Sequence, residues 1–302
     1  EKRNCPFCDF DDYVENEKFL NRYNVVTCNR CNSQYVNPCP NYEILDYYYN
    51  NCKCNKYLVS LIKKRNREQS DKNVINDIRI ERIKKLLDNF SKTEKIYILE
   101  IACNNGTFLN KLKLILQEEY TNIIYHGVDI DETLTKENST EEVTLFCGNA
   151  ETFNNGIKYN IILNFELIEH LFNPKKFIKN IHNLLKDNGY CLLTTPNSNG
   201  LETKAITYNS FRLLAHSIFP PMHLNAFNTQ NIYYIFIKNN FKVVSIETPG
   251  NFDISILKYS KKELKDNIIN EIIKKDQESL EQFQYLTKYL NGSSHMLCVF
   301  KK

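Results

Sequence analysis

Lys95-Ile-Tyr-Ile-Leu-Glu-Ile-Ala-Cys-Asn-Asn-Gly-Thr-Phe-Leu-Asn-Lys-Leu112 changes from a buried apolar strand to a helix across a tight turn. Ile96, Ile98, Leu99 and Ile101 form a run suited to a central parallel strand, whereas Phe108, Leu109, Leu112 and Ile115 recur at helical spacing. The small residues between them, Ala102, Asn104, Asn105 and Gly106, let a ligand approach the backbone closely. Glu100 closes the strand. A dinucleotide-phosphate loop wants glycine at three fixed positions and no carboxylate facing the anion, and here Ala102, Asn104 and Thr107 stand in those places. An acid ahead of the loop suits instead a cationic or donor-rich ligand, such as the amino group of an amino-acid moiety. The alternative is a strand-to-helix turn with no chemical role.

Downstream the chain alternates strand and helix, the pattern of a parallel sheet with crossover helices. Ile123-Ile-Tyr-His-Gly-Val-Asp-Ile-Asp131 reads as a second strand, with Asp129 at its carboxyl end and positioned to hold both hydroxyls of a ribose. Val143 to Ala150 gives a third strand and Tyr159 to Phe165 a fourth. A helix from Pro174 to Lys186 and a Lys-Asp-Asn-Gly turn lead to a fifth strand, Gly189 to Asn197. Phe241 to Thr248 and Met296 to Lys302 form a final pair, with a helical insertion over 260–290 between them. Upstream, Tyr42 to Asn51 reads as a helix with Leu45, Tyr48 and Tyr49 on one side, and Val74 to Phe90 as an amphipathic helix. These readings divide the chain into 1–40, a helical linking or covering segment 41–92, and a domain 93–302 with insertions at 203–222 and 251–294.

The 302 residues suffice for one large domain plus a small module. Lys+Arg 39 against Asp+Glu 36 leaves a formal charge of +3, which creates no strong field toward nucleic acid or a membrane surface. Clusters such as Lys63-Lys64-Arg65 read as solvated helix faces. No apolar run has the length to span a bilayer and the N-terminus lacks a signal-peptide h-region, so a cytoplasmic location is expected. The richness in Asn, Lys and Ile suggests an AT-rich genome.

Of eleven cysteines, four stand apart by spacing: Cys5-Pro-Phe-Cys8 and Cys28-Asn-Arg-Cys31. Two C-x2-C pairs, each chelating from one tight turn, are the arrangement of two zinc knuckles closing one tetrahedral thiolate site. The intervening residues, including Tyr13 and Phe19, give room for a β excursion and return. Such a zinc is structural, because four thiolates leave no open position for water. Two disulfides, the other pairing, do not suit a reducing compartment. The remaining cysteines, Cys39, Cys52, Cys54, Cys103, Cys147, Cys191 and Cys298, show no comparable pattern.

Leu99 to Leu109 resembles the first motif of the class I S-adenosylmethionine-dependent methyltransferases, an acid followed by three alternate small residues. Gly106 keeps one of the family's glycines, while Ala102 and Asn104 replace two. Gly127-Val-Asp-Ile resembles the second motif, whose acid binds the ribose, a role that falls on Asp129 beside Ile130. Gly148-Asn149-Ala150 resembles the adenine-contacting step, with Asn149 in place of the usual Asp. Asn164-Phe165-Glu166-Leu167-Ile168-Glu169-His170-Leu171 resembles the family's segment after the fourth strand, and Leu184 to Tyr190 its Leu-Leu-Lys-Pro-Gly-Gly turn. The resemblance runs in order over nearly all of 93–302. It implies an α/β Rossmann-like fold, a seven-stranded mostly parallel sheet with a C-terminal antiparallel strand, preceded here by a small zinc ribbon. The ribbon with Tyr35-Val-Asn-Pro-Cys-Pro40 also resembles the front end of a bacterial subset that modifies sugars or other small metabolites.

The resemblance implies S-adenosyl-L-methionine as cofactor, held by Glu100 at its ammonium, by the loop of Ala102, Asn104, Gly106 and Phe108, by Asp129 and Ile130 at the ribose, by Asn149 and Ala150 at the adenine, and by Asn164 and Phe165. The sulfonium is its own leaving group, so the protein need only align an acceptor and remove a proton. His223, in Pro220-Pro-Met-His-Leu-Asn-Ala-Phe227, is the leading base, followed by His170, with Glu169 beside it. Glu166, Glu169 and His170, at i, i+3 and i+4, share one face of a helix, and with His223 offer a second metal set for Mg, Mn or Zn. That set resembles metal-assisted RNA 2′-O-methyltransferases and some quinone-ring O-methyltransferases. In the competing reading His170 packs beneath the cofactor and Glu169 caps a backbone group.

The expected reaction is methyl transfer to a hydroxyl of a small polar acceptor, a sugar or surface-glycan precursor such as a sugar nucleotide. The tyrosines at 47–49 and the insertion at 203–222 are expected to cover it. Transfer to carbon or nitrogen is the nearest alternative. RNA methylation lacks a basic aromatic stripe. A zinc-ribbon binding module on a degenerate methyltransferase fold is the reading from another class, and an NAD-dependent oxidoreductase is disfavoured by Glu100 and the loop spacing.

Overall fold

The computed structural model describes residues 1–302 except 17, 19–22, 54–56, 58–70, 206–217, 219, 251–252, 260–263 and 265. Phe19 and most of the expected 203–222 insertion therefore lie outside the described residues.

A three-stranded antiparallel sheet comes first: β1 (Tyr13–Glu15), β2 (Val25–Cys28) and β3 (Gln34–Val36), in that order. α1 (Tyr42–Asn50), capped by the Asn41 side chain, and α2 (Asp71–Leu87) follow among the described residues. The main sheet has seven strands, β4 (Ile96–Ile101), β5 (Ile123–Asp129), β6 (Val143–Cys147), β7 (Tyr159–Phe165), β8 (Leu185–Pro196), β9 (Lys242–Glu247) and β10 (His295–Lys301). Their order is β6-β5-β4-β7-β8-β10-β9, with β4, β5 and β6 parallel and β10 antiparallel to β9. The order reverses between β4 and β7, the switch point at which α/β sheets receive ligands. The Rossmann-like fold that the resemblance implies is thus the observed one.

The crossover helices are α3 (Thr107–Leu116), α4 (Glu132–Asn138) and α5 (Pro174–Leu184), followed by α6 (Leu201–Ala205) and α7 (Thr229–Ile237). Between β9 and β10 stand α8 (Asp253–Tyr259), α9 (Asn267–Ile272) and α10 (Gln277–Tyr289), the helical insertion, whose core of Leu257, Ile269 and Leu280 is shared with Ala205 of α6.

β4 is buried almost throughout because a central parallel strand is covered on both faces. On α3 the buried stripe is Leu109, Leu112 and Leu116, while Ile115 is exposed, one position off the expected stripe. Each of those three leucines contributes about 2 kcal/mol by burial. The fifth strand begins earlier than expected, at Leu185 instead of Gly189, and α5 stops at Leu184. Asn188 turns the chain with φ 61°, and Gly189 has no room for a side chain, since a Cβ would lie 2.9 Å from the Lys186 carbonyl and 3.1 Å from that of Tyr159.

The chain forms two compact units, one of Pro40–Leu163 and Asn183–Leu192, the other of Glu1–Cys39, Asn164–His182 and Leu193–Lys302. Each carries part of the chemistry expected from sequence.

Candidate functional site

The Pro40–Leu163 unit holds the loop after β4. Three alternate residues there, Ala102 (φ 62°), Asn104 (φ 54°) and Gly106 (φ 71°), have left-handed backbone. The geometry that glycines serve is therefore kept with only one glycine, and Ala102 bears the steric cost. The loop is tied to β5: the Ala102 N–H donates to the Val128 carbonyl at 2.8 Å, and the Asn104 N–H to Asp129 Oδ2 at 2.8 Å. Cys103 packs over Gly127, where a Cβ would meet its sulfur at 2.6 Å, so β5 can approach the loop only with glycine there. Gly106 opens α3, whose first N–H groups have no partner within the helix.

Glu100 is 5% exposed and its Oε2 has no hydrogen-bond partner among the described residues. Burial pushes its carboxyl up to about 8, against the opposing pull of Arg79 and with a smaller push from Asp129. A buried carboxyl oxygen without a donor suits a cation or a donor-rich group. Asp129 also accepts from the Asp131 N–H through Oδ1 at 3.1 Å. Ile130, beside it, is exposed enough to lie against a flat ring. The Asn149 Oδ1 accepts from the Glu151 N–H at 2.8 Å, so the Nδ2 donor of this exposed residue is what it offers outward. Phe108 and Ala150 are half-buried. Sequence reasoning missed Tyr42, whose hydroxyl donates to the buried carboxylate of Glu151, tying α1 to the turn that bears Asn149. Nothing local marks that pairing, since 109 positions separate the two residues.

In the other unit, Glu166, Glu169 and His170 do not share a helix face. Glu166 has φ 52°, and only Ile168–His170 is helical, as one 3-10 turn. The grouping that forms is Glu169, His170 and His223, whose ligand atoms all lie within 4.8 Å of one another. The two imidazoles meet edge to face with centroids 4.6 Å apart, and His170 Nδ1 lies 3.1 Å from the Met222 carbonyl. Glu169 is buried; its Oε2 accepts from the Thr195 hydroxyl at 2.9 Å, and its Oε1, without a hydrogen-bond partner among the described residues, is 3.7 Å from His170 Nε2. Burial raises Glu169 and lowers His170, so both shifts favour an uncharged contact over an ion pair.

Glu166 stands apart from this group and leads to a residue that sequence reasoning passed over. Its Oε1 accepts from the Thr194 hydroxyl at 2.8 Å and its Oε2 lies 3.3 Å from His295 Nε2. His295 opens the last strand, and because β10 is antiparallel to β9 its first residue falls at a strand end that sequence order does not reveal. Glu202 is also buried, and burial pushes it to about 8. Asn164 is fully buried and Phe165 half-buried at the end of β7.

Cys5, Cys8, Cys28 and Cys31 converge. The sulfurs of Cys5 and Cys31 are 3.5 Å apart, as are those of Cys8 and Cys28, close to the ~3.8 Å edge of a tetrahedral zinc–thiolate site. Asp9 and Asn32, one residue past each pair, are both left-handed, and their N–H groups return to the Cys5 and Cys28 carbonyls at 3.0 Å, so the two turns have the same build. The thiol contacts within the cluster pull Cys31 down and push Cys5 up, so the four sulfurs do not ionise together on their own. A divalent ion lets them ionise together, so the donor set fits zinc.

A family model described as "Methyltransferase domain" matches residues 75–246. The chain is 26% identical over 125 residues to the "Ubiquinone biosynthesis O-methyltransferase" of Rickettsia felis, a match over 41% of this chain and 51% of that one. The protein of the same name from Rickettsia prowazekii is 26% identical over 135 residues, covering 41% and 49%. The chain spans about half the length of the curated relatives it matches. Among solved structures, the plantazolicin methyltransferase BpumL in complex with SAH is similar in fold, with a TM-score of 0.54, 12% identity and coverage of 85% and 93%. No helix among the described residues is long and apolar enough to cross a membrane.

Proposed function

The chain belongs to the class I S-adenosylmethionine-dependent methyltransferase family, and from that premise we propose that it moves a methyl group from S-adenosylmethionine to a hydroxyl of a small polar acceptor. The observation that carries this reading is the buried Oε2 of Glu100 at the end of β4, without a hydrogen-bond partner among the described residues, next to a loop fixed by Asp129. Glu100 takes the ammonium of the cofactor, the first N–H groups of α3 its carboxylate, and Asp129 with Ile130 its ribose. Asn149 donates to the adenine through Nδ2 beside Ala150. Ala102, Asn104, Gly106 and Phe108 line the amino-acid end. The cofactor supplies the electrophilic methyl and its own leaving group.

His223 removes the acceptor proton, with His170 second and Glu169 orienting the pair. His223 would take the hydroxyl proton as the acceptor oxygen displaced the sulfonium sulfur from the methyl carbon, with the sulfur keeping the bonding pair. The same three residues would hold a divalent ion, which would lower the pKa of an acceptor hydroxyl. Two imidazoles and one carboxylate suit Zn or Mn better than Mg. Glu166 is left out of that set, since it faces His295.

The relatives' name supports oxygen as the acceptor atom. A sugar or glycan-precursor hydroxyl is the finer proposal, supported by the ribbon's resemblance alone, and a quinone-ring hydroxyl is the second reading, supported by that same name. We also propose the division into ribbon 1–40, helical cover 41–92 and methyltransferase domain 93–302, with a structural zinc in the ribbon and a cytoplasmic location, where thiols stay reduced.

Calorimetry with S-adenosylmethionine, then transfer of a labelled methyl to UDP-glucose or 3,4-dihydroxybenzoate, tests the reading. Binding followed by label in one acceptor is expected. No binding by the zinc-loaded chain overturns it.

A further inference from the structure

Arg3 lies two residues before the first cysteine of the ribbon, yet its guanidinium is spent on the segments flanking the two histidines. Its Nε donates to the Val36 carbonyl at 3.2 Å, within the ribbon. Its Nη1 donates to the Phe172 carbonyl at 2.9 Å, two residues past His170. Its Nη2 donates to the Leu224 carbonyl at 2.9 Å and to Asn225 Oδ1 at 3.1 Å, immediately past His223. The guanidinium also lies 5.6 Å from the ring centre of Tyr35 and 6.0 Å from that of Phe172.

The segments gripped this way are themselves cross-tied. Asn225 Nδ2 donates to the Leu171 carbonyl at 2.7 Å, and the Leu224 N–H to the Glu169 carbonyl at 2.8 Å. The last ribbon strand adds backbone bonds of its own, from the Val36 N–H to Leu224 and from the Ala226 N–H to Gln34, both at 3.0 Å, around the bridge of Tyr35 with Asn225. One side chain thus fixes both chain segments whose approach creates the His170–His223 contact, and the ribbon is the mount that holds it.

We propose that Arg3 is a positioning residue for the Glu169–His170–His223 cluster, coupling the fold of the cysteine ribbon to the spacing of the two imidazoles. The proposal rests on the reading of that cluster as the acceptor-side chemistry. A fork of fixed, planar donors is required, because three carbonyls and an amide oxygen must be met at once in set directions, and a lysine ammonium on its flexible stem cannot do so.

The test uses the zinc-loaded full chain and records the imidazole ring NMR signals, assigned through His170→Gln and His223→Gln. In Arg3→Ala the His170 and His223 signals are expected to shift and broaden while those of His126 and His182 stay in place, and Arg3→Lys should behave like Arg3→Ala. S-adenosylmethionine affinity by calorimetry should be unchanged. Wild-type ring signals for His170 and His223 in a folded Arg3→Ala chain, or their recovery in Arg3→Lys, would overturn the proposal. If Arg3→Ala does not fold, the wild-type chain decides: slow solvent exchange of the Arg3 guanidinium protons supports the proposal, and exchange as fast as in a free arginine overturns it. Failure of the wild type to bind S-adenosylmethionine sinks the functional reading on a separate signal and leaves the ring measurement interpretable.

Discussion

The backbone N–H of Asn104 donates to Asp129 Oδ2 at 2.8 Å, so the acid that ends the second parallel strand fixes the loop that follows the first. One carboxylate then does two tasks: it sets the left-handed turn in place and keeps lone pairs for a ligand. Asp129→Ala removes the bonds to Asn104 and Asp131 together. Hydrogen bonds to a charged acceptor contribute about 1.5–3 kcal/mol each, so S-adenosylmethionine affinity should fall at least about tenfold, with a lower Tm. Calorimetry and thermal unfolding read both, and unchanged affinity would remove Asp129 from the site.

Glu100 sits at about 8 in the free chain and is therefore protonated near pH 7. An ammonium placed against it lowers that value, so binding of the cofactor should expel close to one proton and tighten as pH rises from about 6 to 8. Titration at pH 7 in buffers of different ionisation enthalpy measures the release. Glu100→Gln should abolish it, and a release that persists in Glu100→Gln assigns the proton elsewhere.

Ala102 holds φ 62° without the freedom of glycine. Ala102→Gly relieves about 1–2 kcal/mol of steric cost and returns part of it as unfolded-chain entropy, for a net gain of about 1 kcal/mol. Asn104→Gly should gain less, because asparagine tolerates this region. Denaturant midpoints of the two variants compare them directly; a destabilised Ala102→Gly contradicts the strain argument.

Glu202 is buried, and burial raises its carboxyl from 4.5 to about 8, with His295 opposing and Asp253 adding. A folded value above the unfolded one means stability that is present below about pH 4.5 and is lost as pH rises through about 8. Thermal unfolding of the ligand-free chain should show Tm falling over that window, and Glu202→Gln should flatten the fall. An unaltered slope in the variant would assign the pH dependence to other groups.

Cys8→Ser leaves three sulfurs around the ribbon site. Zinc content should drop from about one ion per chain, and the ribbon should lose the metal's share of its folding energy. Atomic absorption and proteolysis of the ribbon monitor the two effects; a variant that keeps its zinc would exclude Cys8 as a ligand.

The alternating strands and helices of the sheet, the acids at the ends of β4 and β5, and the paired cysteines were all legible in order along the chain, because each depends on local periodicity or on spacing within one turn. Even the replacement of glycines did not hide the loop, since Ala102 and Asn104 take the backbone that the position demands. Tertiary structure alone decided which histidine meets which carboxylate. Glu166, Glu169 and His170 look like one helix face, yet a left-handed Glu166 sends the first toward His295, and a segment 52 residues downstream brings His223 to the other two. Arg3, Tyr42 and His295 carry no signal in their own neighbourhoods for the same reason. Their partners lie far along the chain, and hydrogen bonds made across such distances are set by packing, which a linear sequence specifies only through the whole fold.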